Sequence, residues 1–413
     1  MDIPETRSPW ICCQLGARRH YETPRALHRS GKLACLITDA WVVPGSFFSL
    51  PLPASSLRKL RQRFHPELDG VVKSFTAAAV AFELRQTLDR TSGWTRIIDR
   101  NRWFQKQVLQ ILPSLSVSDA NDPPTLFSFS YTALEPFRYA KTQGWRTVLG
   151  QIDPGPVEER IVAEEHRKHP EYRSQWQPAP SEYWDNWQEE CKLADRIIVS
   201  SPWSRQALIT SEVPAAKIDV IPLAYDRPVA KDFARSYPKS FSPERPLKVL
   251  FLGQLILRKG MAALLEATQL LRDAPIEFWF VGSPKIELPP QLASNPKIHW
   301  VGLVSRSETA HYYQQADVFI FPTLSDGFGL TQLEAQAWQL PIIASQFCGE
   351  VVRDRLNGLI LEEVTPTEIA KALEFCANHP QQLESFSRQS TNLYSFDLST
   401  LQHRLEKLPY ATV

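Results

Sequence analysis

The residues of this chain best suited to chemistry are two carboxylates and two cations. Asp326 and Glu334 bracket the run Gly327-Phe328-Gly329-Leu330-Thr331, and Arg258-Lys259-Gly260 stands earlier in the chain. The uncharged run at 318–322 has the β-branched and aromatic content of a buried strand. Strong helix formers then run over 330–339 and stop at Pro341. A strand, a glycine-bearing turn and a helix start together make an anion site. The N–H groups of Gly329, Leu330 and Thr331 would point at whatever sits above the strand end. Asp326 frames that site from the turn, and Glu334 from one turn into the helix. A small polar ligand with phosphate at one end and hydroxyls elsewhere suits the frame.

A second strand is expected over 248–253, closing on Gly253 and followed by Gln254 and then Lys259. The helix behind it has an apolar stripe of Met261, Leu264, Leu265, Thr268 and Leu271. A phosphate that departs from a reacting carbon needs positive charge where its own negative charge grows, and Lys259 can provide it.

Taken together these segments resemble the retaining glycosyltransferases of family 4. The resemblance implies a GT-B architecture, with two Rossmann-like parallel-sheet domains facing across a cleft, and a nucleoside diphosphate sugar as donor. It places Asp326 near the donor sugar, the amides from Gly327 to Thr331, Phe328 included, at the distal phosphate, and Glu334 at the ribose. The family has glutamate at both acidic positions, so Asp326 is a departure. Lys259 falls on the lysine of the family's G-R-L-x-x-x-K-G element, whereas Gln254 replaces its arginine; the neighbouring Arg258 is a partial substitute. Gly282 ends a strand expected to line the nucleotide base, and Gly16 stands where a glycine loop meets the donor phosphates. The match is dense over 194–378 and thin before. The histidine that many relatives carry after the strand at 147–152 is absent, and Gln151-Ile152-Asp153 stands there instead. Asp153 is the titratable candidate on that side, either as a cleft acid or as a turn cap before Pro154. Gln151 can offer a hydrogen bond to a sugar hydroxyl.

The elements that must position these groups alternate between helix and short apolar strand, as in parallel α/β layers. Further strands are expected at 10–15, 33–38 and 126–130, with a helix over 21–30. A chain of 413 residues is too long for one core. We expect an N-terminal acceptor-side domain over 1–223, a proline-bearing linker over 224–246, a nucleotide-sugar-binding domain over 247–392, and a helix over 393–413 crossing back to the first domain. Thr365, Pro366 and Glu368 read as a capping box.

The formal net charge of +1 leaves no basic footprint for nucleic acid. Six cysteines without CxxC pairs fit a reducing compartment, and the first residues lack the apolar core of a signal peptide. A cytoplasmic protein is expected, with no metal site and no cofactor beyond the co-substrate. Arg58, Lys59, Arg61 and Arg63 surround Leu57, Leu60 and Phe64, which suits either an anionic membrane surface or a solvated basic helix. Trp176, Trp184, Trp187, Tyr172 and Tyr183 suit either sugar stacking or a covered domain edge, the second being the expectation. The reading is a glycosyltransferase that moves a sugar to a hydroxyl acceptor. A nucleotide-sugar hydrolase or epimerase of the same fold, and a non-catalytic binding subunit, are the alternatives.

Overall fold

The computed structural model describes residues 9–45, 60, 62–115, 122–226, 233–390 and 394–409. Among these, thirteen strands form two wholly parallel sheets. The first sheet comprises β1 (Trp10–Gln14), β2 (Leu33–Thr38), β3 (Val72–Ser74), β4 (Thr125–Phe129), β5 (Arg146–Gly150), β6 (Arg196–Val199) and β7 (Ile218–Val220). Their spatial order is β3-β2-β1-β4-β5-β6-β7. The second comprises β8 (Leu247–Leu252), β9 (Ile276–Val281), β10 (Ile298–Gly302), β11 (Val318–Phe321), β12 (Ile342–Ser345) and β13 (Gly358–Leu361), in the order β10-β9-β8-β11-β12-β13. Strands such as β1 and β11 are buried at every residue, as expected of sheets covered by helices on both faces.

The order reverses between β1 and β4 in one sheet and between β8 and β11 in the other. Loops that leave neighbouring strands there part to opposite faces and open a crevice, the usual ligand position in open parallel sheets. Asp326 and Lys259 leave the ends of β11 and β8, and Gly16 and Tyr131 leave the ends of β1 and β4.

Each half builds its own core, and two segments cross over. Tyr172, from the first half, is buried in the core around β8 and β9. Its neighbours Arg173 and Ser174 bind the segment after β9: Glu287 N–H donates to the Arg173 carbonyl at 2.8 Å, and Ser174 bridges Ile286. In the other direction, the helix Leu398–Glu406 lays Leu398, Leu401, Leu405 and the following Leu408 into the core with Trp10, Leu27 and Leu36. Asp397 caps that helix, accepting from Thr400 N–H at 2.7 Å.

Three local readings change. The helix expected from Tyr21 spans Glu22–Arg29, because Arg19, His20 and Tyr21 all take left-handed backbone. The helix from Leu330 ends at Ala337, two residues before Gln339, which is itself left-handed. At Pro366–Asn378 only half of the capping box forms: Thr365 accepts from Glu368 N–H, but the Glu368 carboxylate pairs with Lys371. None of the described helices is long and apolar enough to cross a membrane.

The crossing helix is an integral part of the first core. Leu401→Ala should lower the free energy of unfolding by about 2–5 kcal/mol in a urea titration, and a change below ~0.5 kcal/mol would mean that the helix is peripheral.

Candidate active site

The turn after β11 is shaped by close approaches. A Cβ on Gly260 would overlap the Pro322 carbonyl, so the loop after β8 packs directly on the end of β11. Gly327 faces the first half of the chain, and a Cβ there would meet the Ile152 carbonyl at 2.5 Å. Gly329 takes the left-handed conformation that opens the helix Leu330–Ala337. Gly253 and Gly282 allow the ends of β8 and β9 to touch, since a Cβ on Gly282 would overlap the Gly253 carbonyl.

This packing brings Asp326 and Lys259 into a direct ion pair, with 16% and 13% of their side chains exposed. Arg258 Nη1 lies 3.4 Å from the same carboxylate oxygen, and Phe328 N–H donates to the other at 3.1 Å. Burial would raise the Asp326 carboxyl, but Lys259 and Arg258 overcome it and hold the group down at about 2. The Lys259 ammonium also lies over the Phe321 ring, 4.6 Å from its centroid.

Glu158, in the first turn of the helix Pro156–Lys168, reaches this cluster from across the cleft. It accepts from Ser325 Oγ at 3.0 Å and from Arg258 Nη1 at 3.3 Å, while Trp203 Nε1 donates to Ser325 Oγ at 3.1 Å. The two halves therefore meet through a polar chain. Burial, countered by Arg258 and reinforced by Asp153 and Asp326, raises the Glu158 carboxyl to about 7.

Two cavities flank the cluster. One, of about 420 Å³, is lined by Leu330, Thr331 and Glu334 from the second half and by Arg19 and His20 from the first. The first amides of a helix have no intrahelical acceptor, so the start at Leu330 is an anion-binding end. Glu334 Oε2 accepts from Tyr313 Oη at 2.9 Å, which fixes its carboxylate at the wall. The other cavity, of about 740 Å³, is lined by Arg258, Glu158, Asp153, Tyr131 and several aromatic rings.

The loop after β1 touches both sides. Arg18 is within electrostatic reach of Asp153 and Tyr131, whereas Arg19 lines the smaller cavity. Arg19, His20 and Tyr21 hold φ between 50° and 59°, a conformation that costs roughly 1–3 kcal/mol per non-glycine residue. It is pinned by Arg19 donating to Ser200 Oγ at 3.0 Å and pairing with Glu22 at 3.2 Å, and by Gln14 Nε2 donating to the Arg18 carbonyl at 3.0 Å.

Several expected roles change place. The Gly16 amide donates to Asp39 Oδ1 at 2.9 Å, and Arg63 Nη1 sits 2.9 Å from where its Cβ would be. Gly16 lines neither cavity; Arg19 and His20 are the residues of that loop which do. Gln151 is committed inside the protein: Trp187 Nε1 donates to its oxygen at 2.9 Å, and its nitrogen donates to the Asp153 carbonyl at 3.0 Å. It has no amide to spare for a sugar. Asp153 is a turn cap through Oδ1, which accepts from Gly155 N–H at 2.9 Å and Tyr131 Oη at 2.6 Å, and it also lines the larger cavity. Gln254 is exposed, and Arg258 turns toward Glu158 and Asp326. Arg63 points inward to Asp39 at 2.7 Å and Phe64 packs on Trp41, while Arg58, Lys59 and Arg61 lie outside the described residues. Trp187 is core and Tyr172 crosses to the other half, but Trp176, Tyr183 and Trp184 line the larger cavity and do not simply cover an edge. Glu158 was not singled out by sequence; its signal was the Gly155-Pro156 helix start with acids in the first turn.

The raised Glu158 carboxyl has a consequence for stability. Its contribution is complete below the ordinary value of 4.5 and is lost as pH rises through about 7. Glu22 and Glu190, also buried and raised to about 7, titrate in the same window, so the variant must be compared with the parent. Glu158→Gln should flatten part of the fall in melting temperature between pH 5 and 8; parallel curves would show that Glu158 is not buried at the junction.

Residues 246–379 match the family model described as "Glycosyl transferases group 1". D-inositol 3-phosphate glycosyltransferase of Paenarthrobacter aurescens is 28% identical over 222 residues, 49% of this chain and 54% of that protein. An uncharacterized glycosyltransferase of Methanocaldococcus jannaschii is 29% identical over 136 residues, 31% of this chain and 38% of that protein. The chain thus spans about half the length, or less, of the curated relatives it matches. Among solved structures, Anabaena HepE in complex with UDP superposes with a TM-score of 0.59 at 15% identity, covering 97% of this chain and 98% of that one. Sucrose-phosphate synthase from Thermosynechococcus elongatus superposes with a TM-score of 0.65 at 15% identity and the same coverage. The chain therefore has the two-sheet GT-B fold of these neighbours, and its second half carries a glycosyl transferases group 1 domain.

Proposed function

We propose that the protein is a retaining glycosyltransferase of family 4 type, taking a sugar from a nucleoside diphosphate sugar to a hydroxyl acceptor. The observation that carries this reading is the buried Asp326–Lys259 pair at the turn that leads into the helix Leu330–Ala337, whose first residues and Glu334 line the smaller cavity although Asp326 and Lys259 themselves do not. HepE, a neighbour in fold, has been solved with UDP and with UDP-glucose, which supports a donor of this chemical class.

In this reading the ribose hydroxyls donate to Glu334, and the amides at Leu330 and Thr331 receive the diphosphate. Lys259 has three N–H donors; one serves Asp326 and the others face the phosphate that departs. As the bond from the anomeric carbon to the phosphate oxygen breaks, positive charge grows on the carbon and negative charge on the phosphate. Asp326 opposes the first charge and Lys259 the second. The acceptor oxygen then bonds to that carbon, and its proton leaves with the diphosphate or with a carboxylate of the cleft. The lowered carboxyl of Asp326 suits this role: a group held at about 2 stays ionised throughout the working range of pH.

A thermal-shift screen of uridine, guanosine and adenosine diphosphate sugars should find one base that raises the melting temperature, because a ligand of the folded state stabilises it by mass action. In that background Glu334→Gln should weaken the sugar donor and the free nucleoside diphosphate alike. A loss confined to the sugar-bearing donor would instead move Glu334 to the sugar.

Asp326→Asn keeps the shape and removes the charge. It should leave nucleoside diphosphate affinity little changed while kcat falls by about 10²-fold. Full turnover in this variant would reduce Asp326 to a structural partner of Lys259, whereas absence of turnover in the parent protein as well would favour the binding-subunit alternative.

A further inference from the structure

The larger cavity has a graded construction. At its inner end Asp153 Oδ1 is filled by donors from Tyr131, Gly155 and Gln151, and no donor among the described residues reaches Oδ2. From there an aromatic ladder leads outward: Tyr131 stacks on Tyr183 with centroids 4.5 Å apart, and Tyr183 meets Trp94 at 4.8 Å. Trp176, on the opposite stretch of wall, stacks on His166 at 4.9 Å. Two of the lining acids are satisfied internally. Glu158 accepts from Ser325 and Arg258, and Glu159 accepts from Ala179 N–H at 2.6 Å and Trp184 Nε1 at 2.9 Å. The rim is different. Arg173 and Lys285 are exposed, lie on the two strapped segments, and form no ion pair among the described residues, against one exposed acid, Glu287. Burial lowers His166, so it adds no cation near neutral pH.

Flat rings that lead to a free carboxylate oxygen recognise a sugar: C–H faces lie on the rings, and hydroxyls donate to the acid. Unpaired cations at the rim recognise an anion carried further along the same molecule. We infer that this cavity is the acceptor subsite and that its occupant is an anionic saccharide. Its terminal hydroxyl lies toward Asp153 and Arg258, and its acidic substituent, a carboxylate or a phosphate ester, meets Arg173 and Lys285. The assignment as acceptor rests on the glycosyltransferase reading; the binding of an anionic saccharide does not.

The test is isothermal titration of the full chain without nucleotide, at low salt. The probes are a glucuronosyl-glucose disaccharide, its methyl ester, the neutral glucosyl-glucose parent, and glucose 6-phosphate. Exposed ion pairs are individually weak, so two should give about a fivefold preference for the acidic disaccharide over its ester, lost near 0.5 M salt. Arg173→Ser with Lys285→Ser should abolish the preference while the neutral parent binds as before. Trp94→Ala should weaken all three disaccharides. Preference for glucose 6-phosphate alone would assign the anion to a phosphate ester. Equal affinity for acid and ester with no preference for glucose 6-phosphate, absence of binding by all four probes, or indifference to Trp94→Ala overturns the inference. Saccharide binding in a protein that takes no nucleotide sugar would sink the glycosyltransferase reading and leave this one standing; nucleotide-sugar turnover without saccharide binding would do the reverse.

Discussion

Everything in the cleft depends on an electrostatic problem and its solution. Four ionisable side chains, Glu158, Arg258, Lys259 and Asp326, are drawn together where the two sheets face each other, each with less than a quarter of its side chain exposed. An isolated charge there would be costly, and charges of one sign would be worse. The arrangement works because acids and bases alternate: Glu158 to Arg258, Arg258 to Asp326, Asp326 to Lys259. Its members come from both halves of the chain, so the docking of the halves and the ionisation of the site are one event. Separation of the halves would leave Arg258 with one acid fewer and Glu158 free to ionise in water.

The same cluster divides the labour of the cavities. The turn from Ser325 to Thr331 begins against the first-half residues Glu158 and Trp203 and ends at the wall of the smaller cavity. A displacement at one end of this short segment is felt at the other, since Gly327 is wedged against Ile152 and Gly329 against the Phe321 ring. The residues at the two sides therefore share one continuous stretch of backbone, with Asp326 within it.

Much of this was legible in the sequence, and the exceptions share a cause. β11 announces itself as a short uncharged run and β8 as an apolar run broken only by Lys248, while Glu334, one turn into the helix after β11, does line the smaller cavity. The direct pairing of Lys259 with Asp326 was not part of that reading; it follows from the adjacency of β8 and β11. What escaped are contacts set by tertiary docking. Gly16 has the residue type of a phosphate loop, yet its amide is taken by Asp39, on the neighbouring strand's exit. Gln151 looks free in a list of residues and is held by Trp187 and Asp153 in space. Arg19, His20 and Tyr21 are residues that normally avoid left-handed backbone, so nothing in their types foretold it. Glu158 belongs to an ordinary amphipathic helix until the second half arrives opposite it.

The helix at Leu398–Glu406 has a temporal consequence. It completes the core around β1 and β2 with leucines made some 370 residues after Leu27, about 20–75 s later at the usual 5–20 residues per second of synthesis. During that interval the first sheet has left the ribosome with Trp10, Leu27 and Leu36 still lacking their partner. Its apolar face is then a surface for chaperones, or for a second nascent chain. The first half is consequently the last to be finished, although it is the first to be made.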